Sequence, residues 1–141
     1  MNNTLLALLI YAAWTLCLVV GIAVLRGSQV AQGLRSVNSF SVWGDEVSAF
    51  SGRLCRAHAN CYENLPAFAA IVLVTSLTGQ IDVTNPLALW LIAARIAQST
   101  VHLISTHNRA VLLRFAFMAT QIAIQAWWVL QLSTRLTERI A

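Results

Sequence analysis

The chain has 141 residues, 58% of them hydrophobic and only 10% charged. A soluble domain carries about 25% charged residues, so the composition excludes an ordinary soluble globule, and the same apolarity excludes a disordered chain. The net charge is +4 with arginine as the sole basic residue; the arginines form no surface cluster, so nucleic acid is not an expected partner.

A membrane-spanning helix needs about 20 mostly apolar residues. Four such segments follow one another, at residues 4–25, 53–77, 86–106 and 110–132. They predict an all-α membrane protein, a four-transmembrane-helix bundle occupying 1–141 as one domain. The first segment is uncharged, has no basic residue before it, and is too long for the apolar core of a signal peptide. Arg26 and Gly27 are expected to end it. Residues 26–52 form a polar loop, with a short interfacial helix expected around 40–50, where Phe40, Trp43 and Phe50 suit the headgroup level. Ser51 is the expected N-cap of the second span, and Pro66 lies inside that span, which membrane helices tolerate when neighbours compensate. Residues 79–85 read as a turn. Asn85 as cap and Pro86 at the first helical position open the third span, and residues 107–109 connect it tightly to the fourth.

Arginine placement sets the expected orientation. Arg26, Arg35, Arg53 and Arg56 lie in or near the first loop, and Arg109 and Arg114 in or near the third. The positive-inside rule puts both loops in the cytoplasm and both termini outside, with Arg135 and Arg139 pulling the other way.

Nine of the fourteen charges sit in loops or tails. Five lie within the spans: Arg53, Arg56, Glu63, Arg95 and Arg114. A charge deep in a bilayer costs about 2.5–3.5 kcal/mol even on the lenient insertion scale, so each needs a partner or a wet cavity. Helical periodicity gathers Arg53, Arg56, Asn60 and Glu63 on one stripe of the second span. It does the same for Arg95, Gln98, Ser99, His102 and Thr106 on the third, and for Arg114, Gln121, Gln125 and Trp128 on the fourth. Tyr11 and Thr15 share a face of the first. Polar residues also simply glue membrane helices together, and Glu63 with Arg95 would make a buried ion pair. Four arginines against one carboxylate nevertheless leave surplus positive charge, which an anionic ligand would balance, and Arg is shaped to grip carboxylates. His58 falls opposite Arg56 and reads as a packing residue. His102 and His107 do not share a helix face, so no metal site is expected. Cys17, Cys55 and Cys61 contain no C-x-x-C pair; Cys17 and Cys61 read as small buried apolar residues.

The stretch Arg53-Leu-Cys-Arg56-Ala-His58-Ala-Asn60-Cys-Tyr-Glu63-Asn64-Leu-Pro66 resembles the second-helix signature of the MAPEG family, the membrane-associated proteins of eicosanoid and glutathione metabolism, and is closest to its bacterial branch. The resemblance covers the whole chain. It implies a homotrimer in the lipid bilayer, here a bacterial inner membrane, with active sites between subunits towards the cytoplasm. It also implies glutathione as thiol co-substrate and a lipophilic small molecule as second substrate. Carried over by motif, Arg56, Asn60 and Glu63 belong to the glutathione site or its support, Arg26 grips a glutathione carboxylate, and Arg95, Gln98 and His102 line the site. Arg114 resembles the fourth-helix arginine that faces the thiol and is the expected catalytic residue. Ala59, His102 and Phe115 depart from the eicosanoid enzymes, and count against an eicosanoid-specific activity.

Two functions follow as expectations. The first is a microsomal-type glutathione transferase or peroxidase that activates the thiol towards lipophilic electrophiles. The alternative is a non-catalytic membrane scaffold or a small four-span transporter built on Glu63. Such transporters carry their acid in the first span, where this chain has no charge.

Overall fold

The computed structural model describes residues 2–140; the side chains of Arg139 and Ile140 lie outside the described residues. The described residues fold into four long helices and one short one: α1 (Asn3–Ala31), α2 (Ala49–Leu77), α3 (Ile81–Thr84), α4 (Ala88–Ile104) and α5 (Asn108–Ile140). α1 and α5 are each long and apolar enough to cross a membrane. Both turn apolar side chains outward, Leu9, Leu16, Val20 and Val24 from α1 and Leu112, Ile122 and Leu130 from α5. Cys17, expected to be buried, lies on this outward surface of α1, whereas Cys61 is buried as expected.

The helix ends differ from their sequence positions for local reasons. α1 runs through Arg26, a good helix former, and stops only where Gly33 adopts a left-handed φ of 68°. There Leu34 N–H donates to the Gln29 carbonyl and Gly33 N–H to that of Val30, a Schellman ending. α2 closes in the same way at Gly79, with Gln80 N–H donating to Thr75 and Gly79 N–H to Ser76. Its N-cap is Ser48 rather than Ser51: the Ser48 hydroxyl accepts from the Ser51 amide. No interfacial helix forms over residues 40–48, which are turns and bends, and Phe50 already belongs to α2. Pro66 is accommodated inside a continuous α2. The segment 79–85, read as a turn, contains α3. Asn85 does not cap α4, which begins only at Ala88. Its side-chain oxygen instead accepts from the Asn3 and Thr4 amides at 2.7 and 3.3 Å, capping α1 together with Asn2. α4 ends at Ile104, two residues short of the expected reach, and α5 continues past residue 132.

Aromatic side chains join three helices in the core. Tyr11 of α1 lies 5.5 Å from Phe68 of α2, and Phe68 lies 6.3 Å from Trp128 of α5. All three are almost fully buried. Between helices in lipid, packing and hydrogen bonds supply the attraction, because lipid tails are as apolar as the core. Tyr11 Oη accordingly donates to the Cys61 carbonyl, and Thr4 and Thr84 share a hydroxyl bond of 2.8 Å. Arg53 donates from Nε to the Leu103 carbonyl at 2.8 Å, satisfying a carbonyl in the last turn of α4.

Candidate functional site

The first two turns of α2 lie close against the preceding loop. Gly52 is buried, and a Cβ there would fall 1.8 Å from Asp45 Oδ1. Its absence lets Asp45 reach Arg56, whose Nη1 lies 3.3 Å away. Gly44, at φ 73°, brings the loop against Cys55 and Ser51 in the same manner. The loop is tied internally as well. Glu46 accepts from the Ser41 amide and hydroxyl, and Arg35 donates to the Glu46 carbonyl. The Ser41 hydroxyl holds the Glu46 carboxyl below the usual carboxylate range. Arg26 donates to the Ser41 carbonyl at 2.5 Å and stacks on Phe40 at 5.5 Å.

Two cavities flank α2. The first, of about 480 Å³, opens between α2, α4 and α5 and is lined by Arg56, Asn60, Gln98, His102 and Arg114 among others. These five are residues that the sequence nominated from three separate helices. Phe115 and Met118 add apolar wall beside Arg114. Among the described residues two guanidinium groups line this space and no carboxylate does, so the arrangement favours an anionic group. The second cavity, of about 380 Å³, lies between α1, the first loop and α2, and is bordered by Arg26, Arg56, His58, Tyr62 and Glu63 with Trp43 of the loop. His58 packs 5.6 Å from Tyr62 as well as facing this space. Arg56 is common to both cavities.

Glu63 and Arg95 stand apart from the first cavity. Glu63 is exposed on the second and makes no ion pair with Arg95. Arg95 is only 1% exposed and lines neither cavity. It donates to the Asn60 carbonyl at 3.3 Å and to Gln98 Oε1 at 3.0 Å, and its guanidinium carbon sits 5.3 Å from the centre of the Tyr11 ring. These contacts spread the charge of a buried cation over carbonyl dipoles and an aromatic face. Arg95 therefore stands one layer behind the cavity wall.

Asp45 was not singled out from the sequence, although it is the acid that meets Arg56. Its signal is faint: one of two adjacent carboxylates in a loop, followed by a glycine in the first turn of the next helix. Met118 carries no chemical signature that distinguishes it from an ordinary apolar residue, and Trp43, expected at the headgroup level, borders the second cavity.

No curated protein and no solved structure matches the chain. The family model described as MAPEG family matches residues 4–133, which takes in α2 and α4 whole, nearly all of α1, α5 as far as Ser133, and every residue of both cavities. The chain belongs to the MAPEG family.

Proposed function

We propose that the chain is a glutathione-dependent membrane transferase or peroxidase that activates the glutathione thiol towards lipophilic electrophiles. Members of the family act in glutathione and eicosanoid metabolism, and the observation that carries the reading is the cavity between α2, α4 and α5. It presents Arg56 and Arg114 without a lining carboxylate, which suits a ligand that carries carboxylates and becomes a thiolate. A thiol of pKa near 8.5 is mostly protonated at neutral pH, and only its anion is a good nucleophile. A guanidinium beside the sulfur favours that anion, each unit of lowered pKa corresponding to about 1.36 kcal/mol. Arg114, against the apolar wall of Phe115 and Met118, is the candidate for this role. Arg56, Asn60, Gln98 and His102 would hold the peptide, and the apolar wall would admit the lipophilic co-substrate.

Arg26 and Glu63 border the other side of α2, so one subunit does not gather all eight nominated residues around one space. This division favours a homotrimer whose sites are completed between subunits. In it α2 and α4 also cross the bilayer, with the first and third loops on the cytoplasmic side. Titration calorimetry of the detergent-solubilised protein with glutathione tests the reading. Saturable binding in the millimolar range or tighter is expected; no heat at millimolar glutathione overturns it.

A further inference from the structure

Gln98 reaches the cavity with an amide whose two ends are chemically opposite, and the structure determines which end faces out. Its Oε1 accepts from Arg95 Nη1 and from Gln121 Nε2, each at 3.0 Å. Arg95 can only donate, so it fixes the oxygen end on its side. Gln121 is fixed independently. Its Nε2 also donates to the Phe117 carbonyl at 2.8 Å, and a backbone carbonyl can only accept. Turning either amide over would place donor against donor or acceptor against acceptor in a buried site, at the full cost of unmade hydrogen bonds. Arg95 and Gln121 are both 1% exposed, so water cannot relieve such a mismatch. Among the described residues nothing accepts from Gln98 Nε2, and Gln98 lines the cavity.

We infer that Arg95 and Gln121 are positioning residues that lock the Gln98 amide with its Nε2 towards the cavity, so that the site selects a ligand presenting a carbonyl or carboxylate oxygen at that point. Gln121 thereby acquires a part in recognition, and Arg95 acts through Gln98 rather than by touching the ligand. The inference rests on the glutathione reading for the identity of the ligand, but not for the orientation of the amide. With Arg56 and Arg114, Gln98 completes a wall of donors contributed by α2, α4 and α5.

Two measurements test it. The first is a double-mutant cycle on glutathione affinity, read by calorimetry for the wild type, Gln98→Ala, Gln121→Leu and the double variant. If Gln121 acts through Gln98, Gln121→Leu weakens binding threefold to tenfold, about the weight of one hydrogen bond, and has no further effect once Gln98→Ala is present. Additive losses, or no loss on Gln121→Leu, overturn the inference. The second needs no ligand and no variant beyond those for assignment: NMR of the side-chain amides in protein labelled with 15N-glutamine. The Gln98 Nε2 protons are expected to exchange with water well ahead of those of Gln121; equal protection, or the reverse order, overturns the inference. Wild-type protein that binds no glutathione refutes the proposed function, and the NMR order then decides the orientation by itself.

Discussion

The carboxylate of Asp45 lies 3.3 Å from the guanidinium of Arg56, so the first loop holds an arginine that borders both cavities. Any anion that uses Arg56 competes with this internal carboxylate. The two side chains are 37% and 60% exposed, and such pairs contribute at most about 1 kcal/mol, or about fivefold in an equilibrium. Asp45→Asn is therefore expected to tighten glutathione binding by up to about fivefold, more at low salt than at high salt. Calorimetry at two ionic strengths checks this. Weaker binding would mean that Asp45 orients Arg56 instead of competing for it.

Much of the fold was legible because apolar runs survive inspection of one sequence, and the helix order followed from them. The ends were not. Arg26 and Gly27 looked like a stop, yet Arg favours helix and a glycine in mid-helix is tolerated; the stop came at Gly33, where a positive φ was required. The role of Asn85 was invisible for another reason. It caps α1 from more than 80 residues away in sequence, and local spacing contains no such information. In the candidate site, Gln98 and His102 from one expected stripe and Arg56 and Asn60 from another do border one space, but Glu63, expected on the stripe of Arg56 and Asn60, borders the other cavity. Periodicity failed on Arg95 because angle around a helix gives direction and not depth. Arg95 shares the stripe of Gln98 but lies beneath it, against Tyr11.

Gly52 and Gly44 make opposite predictions although both permit the loop to approach α2. At Gly52 the obstacle to a methyl group is the far end of the Asp45 side chain, which can swing away. Gly52→Ala gains about 1 kcal/mol of helix propensity and loses an exposed ion pair of similar or smaller worth. Thermal stability should change little, while glutathione affinity should follow that of Asp45→Asn. At Gly44 a side chain meets Cys55 Sγ at 2.6 Å and the Ser51 carbonyl at 3.2 Å, on a backbone with φ of 73°. Gly44→Ala should cost about 1–3 kcal/mol and lower the melting temperature, with increased proteolysis of the first loop. Equal effects of the two substitutions would contradict this account of the close approach.

The pH dependence of the first loop follows from Glu46. Its carboxyl is held below its ordinary pKa, first by the Ser41 hydroxyl. The folded loop therefore binds the proton less readily than the unfolded loop. The resulting stabilisation is fully present above the ordinary carboxylate pKa and is lost as pH falls through the lowered folded value. Hydrogen exchange at the Ser41 amide, which donates to Glu46 at 2.8 Å, should become faster relative to the bulk of α2 on acidification. Glu46→Gln should remove most of that dependence, whereas a pH profile unchanged by the substitution would assign the loop's order to Arg26 and Arg35 alone.

Arg114 offers the sharpest separation of binding from chemistry. It lines the first cavity from α5, beside Phe115 and Met118, while Arg56, Gln98 and Asn60 approach from the other two helices. If its charge stabilises the thiolate, its effect grows as the sulfur becomes anionic, and removing it should depress turnover more than affinity. Losing one charged donor aimed at a developing anion costs about 100-fold or more in kcat. Arg114→Ala should therefore lower kcat by about that factor, with a change in glutathione Kd of only a few-fold. The pH profile supplies a second readout. Without the guanidinium the bound thiol titrates at higher pH, so the rising limb of kcat against pH should move alkaline and part of the lost rate should return as pH increases. Arg114→Lys keeps the charge but not the planar fork, and should fall between the wild type and Arg114→Ala. Ultraviolet absorbance of the bound thiolate, followed through the same pH range, should shift in parallel with the rate. A rate loss with no shift in either curve would leave Arg114 a structural part of the cavity wall and move the search for the thiolate's partner to Arg56.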